Sequence, residues 1–195
     1  GTQSALAYLG YLAGYDTISD AVADTAFTRL CERLWQDEIL PTVPQPEGED
    51  LPAYCAALMS RYYNPAIQHR TWQIAMDGSQ KLPQRILGTL RDNLVAGRMP
   101  RGLCLVIASW MRYVAGTDEA GQPIDVRDPM ADHLKLAATS SNPVKALLSI
   151  EAIFGADLAS NADVVVAIQS AYQQLLSDGV AKTIRAYLEQ TPSMK

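Results

Sequence analysis

Three times in this chain an Asn or Asp is followed directly by proline: Asn64-Pro65, Asp128-Pro129 and Asn142-Pro143. An Asx side chain accepts from the unpaired N–H groups at a helix start, and proline at the next position gives up only an N–H that has no helical partner. Each pair therefore predicts the start of a helix, and the apolar spacing between them is helical as well. From Asn142, Leu147, Ile150 and Phe154 form one stripe before Gly155, a residue suited to ending a helix in the left-handed conformation. Val164, Ile168, Ala171 and Leu175 repeat the pattern before Gly179, and Ile86, Leu90 and Leu94 do so before Gly97. At the front, Ala5, Tyr8, Leu12 and Tyr15 recur at helical spacing, with Gly10 and Gly14 as a small pair that lets another backbone approach. Further helices are expected over Thr25–Leu40 and Leu51–Tyr63, joined by an acidic, proline-rich loop over 41–50. The only strand signal is Gly116–Asp125, where Asp118-Glu119-Ala120-Gly121 could turn one short β-hairpin. The pattern predicts an all-α fold, one multi-helical domain of eight to ten helices over residues 1–195.

Composition narrows the function classes. With 16 Lys and Arg against 21 Asp and Glu, the net charge of −5 lacks the basic excess on which nucleic-acid binding rests. The most apolar run, Leu103–Met111, is about half the length of a spanning helix, so no membrane partner is expected. Cys31, Cys55 and Cys104 are odd in number and widely spaced, which predicts reduced thiols and a cytoplasmic protein. His69 and His133 are the only histidines, too few for a His/Cys metal site, so no metal is expected. No glycine-rich phosphate loop, zinc-protease motif or nucleophile elbow occurs. A self-sufficient nucleotide-dependent enzyme is not expected from these residues. The chain opens Gly-Thr-Gln, without an initiator Met, and reads as a fragment of a longer protein.

The stretch from Asn64 to Leu87, NPAIQHRTWQIAMDGSQKLPQRIL, is the densest in chemistry. A helix begun at Pro65 would put His69, Gln73 and Asp77 on one stripe, with Arg70 one step round. Pro83 restricts Leu82 and suits a first helical position, so residues 77–82 read as a tight connection into a second helix. Lys81 would then lie at that helix's amino end, where a cation opposes the macrodipole yet, together with free N–H groups, suits an anion. Arg70 and Lys81 are the cations of this expected anion pocket. Asn64 reads as a helix cap, and His69, a histidine with partners on its own helix, joins Gln73, Arg70 and Lys81 as a candidate substrate-binding residue.

This stretch resembles the signature of the C-terminal domain of the mannitol dehydrogenase family, the long-chain polyol and uronate dehydrogenases, and is most similar to its fructuronate-reducing branch. The likeness continues in Ser4-Ala-Leu-Ala-Tyr-Leu-Gly-Tyr-Leu-Ala-Gly-Tyr15, Trp110-Met-Arg-Tyr113, Gly116-Thr-Asp-Glu119, Ile124-Asp-Val-Arg-Asp-Pro-Met130 and Val144-Lys-Ala-Leu-Leu148.

The resemblance implies a two-domain oxidoreductase. An N-terminal Rossmann domain, absent from these residues, would bind NAD, and this helical domain would close over a small sugar acid or polyol. Such enzymes interconvert D-fructuronate and D-mannonate, or fructose and mannitol, by hydride transfer without a metal. Gly1 and Thr2 match the G-x of the family motif K-x-x-x-x-N-G-x-H, which puts the catalytic Lys and Asn just before residue 1. Gln3 then stands where the family has His; its amide donates and accepts hydrogen bonds but does not titrate near neutrality. Lys81 matches a substrate-contacting basic residue, and Gln73 occupies a place where mannitol-specific members have Arg. Three readings follow: a fructuronate/mannonate oxidoreductase domain, a mannitol-type polyol dehydrogenase domain, and a helical interaction module without catalysis.

Overall fold

The structure, a computed structural model, describes residues 1–45 and 47–191. Helix α8 (Arg101–Val114) holds its centre: every residue from Gly102 to Met111 is buried. A helix apolar on all faces must be surrounded, and α8 is packed by α1 (Thr2–Ala13) and α12 (Ala162–Glu189). The nine-residue apolar run is thus the central helix of the core.

Around this centre the chain adds α2 (Ile18–Ala23), α3 (Thr25–Leu34), α4 (Leu51–Tyr63), α5 (Thr71–Ile74), α6 (Gly78–Leu82) and α7 (Gly88–Val95), then α9 (Ala131–Ala138), α10 (Pro143–Leu148) and α11 (Glu151–Phe154). Twelve α-helical segments over the described residues exceed the expected eight to ten because several expected helices are broken by tight turns. The Asn142–Gly155 helix is two, since Ile150 adopts extended backbone between α10 and α11. The helix expected at Pro129 starts two residues later, at Ala131. Asp128 instead takes the Met130 N–H at 2.9 Å and spends its remaining capacity on Ser79. Gly179 does interrupt α12, at φ 82° and ψ 174°, a region open essentially to glycine alone. The helix restarts there because Glu119 accepts from the Val180 N–H at 3.1 Å.

Asn142 caps α10 through the Lys145 N–H, and Asp50 caps α4 through the Ala53 N–H. Gly14 closes α1 at φ 95°, while Gly10 lies where an added Cβ would be 3.3 Å from both Ala21 Cβ and Thr71 Cγ2. The first glycine of the pair packs helices; the second ends one. The expected hairpin over 116–125 reduces to a single antiparallel bridge, Thr117 to Pro123, and no strand forms among the described residues. All three cysteines are free and buried. No helix among the described residues is long and apolar enough to cross a membrane.

Candidate active site

The segment 64–87 does not fold as two simple helices. Asn64 caps only a single 3-10 turn, Pro65–Ile67, through the Ala66 N–H at 3.0 Å. Gln68 then turns left-handed at φ 49°, and the chain runs extended through Arg70 before α5 begins. The expected helix from Pro65 is therefore absent, and with it the stripe of His69, Gln73 and Asp77. Residues 69–71 instead pair with the end of the α1–α2 loop. Ile18 N–H donates to the His69 carbonyl at 2.9 Å, Thr71 N–H to the Asp16 carbonyl at 3.0 Å, and Thr17 bridges Arg70.

Neighbouring side chains on extended backbone point to opposite sides. His69 accordingly lines a cavity of about 500 Å³ together with Gln3 and Asn64. Arg70 lines a different groove, with Asp16, Asp20, Trp72 and Asp125. The pocket expected from Arg70 and Lys81 is not formed in that way, because the pairing with residues 16–18 turns Arg70 aside. His69 also has no helix of its own on which to find partners; it is exposed, facing the cavity.

Lys81 is placed by a second departure. Leu82 is helical, at φ −54° and ψ −49°, and Pro83 sits inside a continuous helical run from Gly78 to Val95. A proline ring normally clashes with the carbonyl four residues back, and here the run widens into a π-helical turn over Pro83–Leu87. The expected connection over 77–82 is thus the first turn of a helix, opened by Asp77 in the left-handed conformation at φ 57°. Lys81 Nζ donates to the Ile74 carbonyl at 3.0 Å, which brings its ammonium beside the residue that follows exposed Gln73. Burial and the Arg85 charge lower its pKa, and Asp77 opposes them.

Arg85 follows Lys81 by four residues and so lies on the same helical face. It lines the cavity shared by Gln3 and His69, as does Arg61 from the last turn of α4. Neither arginine stands out in the sequence. The i, i+4 spacing from Lys81 would have revealed Arg85, but Pro83 hides the helix that makes the spacing meaningful. For Arg61, at a helix end where a cation is favoured anyway, no sequence signal exists.

The loop 125–130 fixes this arrangement. Asp77 N–H donates to the Arg127 carbonyl at 2.9 Å and Trp72 Nε1 to the Asp125 carbonyl at 2.8 Å. Asp128 accepts from both the Ser79 N–H at 2.8 Å and the Ser79 hydroxyl at 2.5 Å. Two separate strings of the sequence signature are thereby one structural unit. At the other wall, the Thr2 hydroxyl is 3.0 Å from the Tyr62 hydroxyl, tying the start of α1, and so Gln3, to α4.

The domain offers no dinucleotide cradle of its own: among the described residues no strand leads into a glycine-rich turn and helix. No group of three or more His, Cys, Asp or Glu side chains gathers to hold a metal among them either.

Comparison with known proteins agrees with this architecture. The family model described as the mannitol dehydrogenase C-terminal domain matches residues 1–176. D-mannonate oxidoreductase of Escherichia coli (strain K12) is 50% identical over 189 residues, 95% of this chain and 39% of that protein. Mannitol 2-dehydrogenase of Aspergillus fumigatus is 33% identical over 96% of this chain and 38% of its own length. A solved ternary complex of Pseudomonas fluorescens mannitol 2-dehydrogenase with NAD and D-mannitol superposes with a TM-score of 0.95 at 29% identity, over 98% of this chain and 39% of that one. The chain thus spans about two fifths of the proteins it matches, and it belongs to the mannitol dehydrogenase C-terminal domain family.

Proposed function

We propose that this chain is the substrate-binding helical domain of an NAD-dependent oxidoreductase that interconverts D-fructuronate and D-mannonate. The observation that carries the reading is the 50% identity to a D-mannonate oxidoreductase, against 33% to a mannitol 2-dehydrogenase. The match extends over 189 residues, 95% of this chain. A preceding Rossmann domain would hold NAD and supply the catalytic Lys and Asn. The three buried, unpaired thiols accord with a reducing compartment such as the cytoplasm.

The residues of this chain then bind and orient. The Gln3 amide faces the cavity and offers one donor pair and one acceptor to substrate hydroxyls, without taking up a proton. His69, fixed through its backbone by Ile18, lines the same space. The Lys81 ammonium keeps two N–H groups for a ligand after donating one to the Ile74 carbonyl, and Gln73 next to Ile74 is exposed. Removing a charge-assisted bond to substrate is worth about 1.5–3 kcal/mol. In the full-length parent, Lys81→Ala should therefore raise KM for D-fructuronate about 10- to 100-fold while leaving NADH affinity unchanged. Steady-state kinetics with fructuronate and fructose, each with NADH, test the assignment. Higher kcat/KM for fructose than for fructuronate in the unaltered enzyme would replace it with the polyol reading, which the fit to the mannitol 2-dehydrogenase complex would then explain.

A further inference from the structure

The cavity beside Gln3 has a one-sided charge. Arg61 enters it from α4 and Arg85 from the π-helical turn, His69 adds a third nitrogen base, and no Asp or Glu lines it. The neighbouring groove is the reverse, with Asp16, Asp20 and Asp125 around a single Arg70. Arg61 and Arg85, both exposed, have no side-chain hydrogen bond or ion pair among the described residues and are free to turn to a ligand. Arg85 also lies one helical turn from Lys81, and like charges at that spacing are destabilising. Burial first, and then the Arg85 charge, push the Lys81 ammonium toward its neutral form. Asp77 offsets part of that repulsion, but the cavity wall that Arg85 and Arg61 line has no carboxylate, so an anion entering there would meet uncompensated positive charge.

We propose that Arg85, assisted by Arg61, is the anchor for the carboxylate of the sugar acid and sets the preference for an acid over a neutral ketose or polyol. This rests on the proposed sugar-acid function and adds a residue to it. A guanidinium presents a planar fork that matches a carboxylate with two parallel hydrogen bonds, which an ammonium does not. Lys81, already committed to the Ile74 carbonyl, is left to contact a hydroxyl or share the charge. Arg85 acts by holding one end of the substrate, so its loss should appear in KM rather than kcat.

The test uses the full-length parent and compares D-fructuronate with D-fructose. Arg85→Ala should raise KM for fructuronate about 10- to 100-fold, with kcat within threefold and fructose kinetics unaltered. Arg85→Lys should recover only part of the loss, and Arg61→Ala should show the same selectivity at smaller size. An unchanged fructuronate KM, or equal losses on both substrates, overturns the proposal. Should the unaltered enzyme fail to turn over fructuronate, the function proposed above falls. Titration calorimetry with D-mannonate then decides the arginine separately: weaker binding to Arg85→Ala supports the anchor, and equal binding to both proteins overturns it.

Discussion

Glu38→Ala should remove about 2–5 kcal/mol of stability, a substantial share of the about 5–15 kcal/mol that folded domains commonly have. Glu38 belongs to a π-helical turn, Trp35–Ile39, that follows α3 and carries the side chain inward. Its carboxylate accepts from the Gly102 N–H at 2.6 Å and the Leu103 N–H at 2.7 Å, the first turn of α8. The Tyr187 hydroxyl approaches from α12 at 3.4 Å. Pro100, at the cap position of α8, has no side chain able to do this. Glu38 therefore caps the central helix from a distance of 64 residues in sequence. Truncation leaves two buried donors without partners, each worth about 1–3 kcal/mol. Urea unfolding at pH 6 measures the loss, and a midpoint unchanged from the unaltered chain would mean that water replaces the carboxyl group there.

The same carboxyl makes stability depend on pH. Burial raises its pKa from the ordinary 4.5 to about 7, against the pull of the two N–H groups and the Tyr187 hydroxyl. The folded chain thus keeps a proton that the unfolded chain releases above about pH 4.5. This contribution is complete below that pH and is lost as pH rises through about 7. The stability of the unaltered chain relative to Glu38→Gln should fall by up to about 3 kcal/mol between pH 5 and pH 8, because each pH unit between the unfolded and folded pKa values is worth about 1.4 kcal/mol. A difference that stays flat over this range would show that the carboxyl does not titrate there.

Helix type and the core were legible in the sequence because they depend on local rules. Asn142 caps where it stands, Gly10 packs where another backbone approaches, and the apolar 103–111 run is buried. What the sequence hid depends on partners far along the chain. Nothing in the residues around Glu38 announces that it caps α8, 64 positions further on. His69 and Arg70 read as neighbours on a helix until residues 16–18 pair with them and send them to opposite sides. Pro83 reads as a helix start because nothing local announces a π-helical turn. For the candidate site, the likeness to a family singles out Gln3 and His69, which line the cavity, and Lys81, which is not among its lining residues. The charge of the site is not legible, since that is a property of the cavity walls and belongs to no single segment.

Gly78→Ala should lower stability by about 2–4 kcal/mol and disturb the site with it. Gly78 starts the helix that carries Lys81 and Arg85, and its need for glycine is spatial. An added Cβ would fall against Trp110 Nε1 and 2.6 Å from the Tyr8 hydroxyl oxygen, and both of those side chains are only 1% exposed. Side chains so enclosed cannot swing aside, so the helix itself must move. Overpacking of this kind costs about 1–3 kcal/mol. The hydrogen bond from the Tyr8 hydroxyl to the Ala75 carbonyl, 3.2 Å long, adds about 1 kcal/mol when it is lost. Because Lys81 is three residues along the same short helix, fructuronate KM in the full-length parent should rise with the same substitution. A double-mutant cycle separates this steric cause from a general loss of helix order. Tyr8→Phe removes the very oxygen that the new methyl meets, so Gly78→Ala should be less damaging in the Tyr8→Phe background, by about 1 kcal/mol. Strict additivity of the two substitutions would refute the clash with the Tyr8 hydroxyl and leave Trp110 as the obstacle.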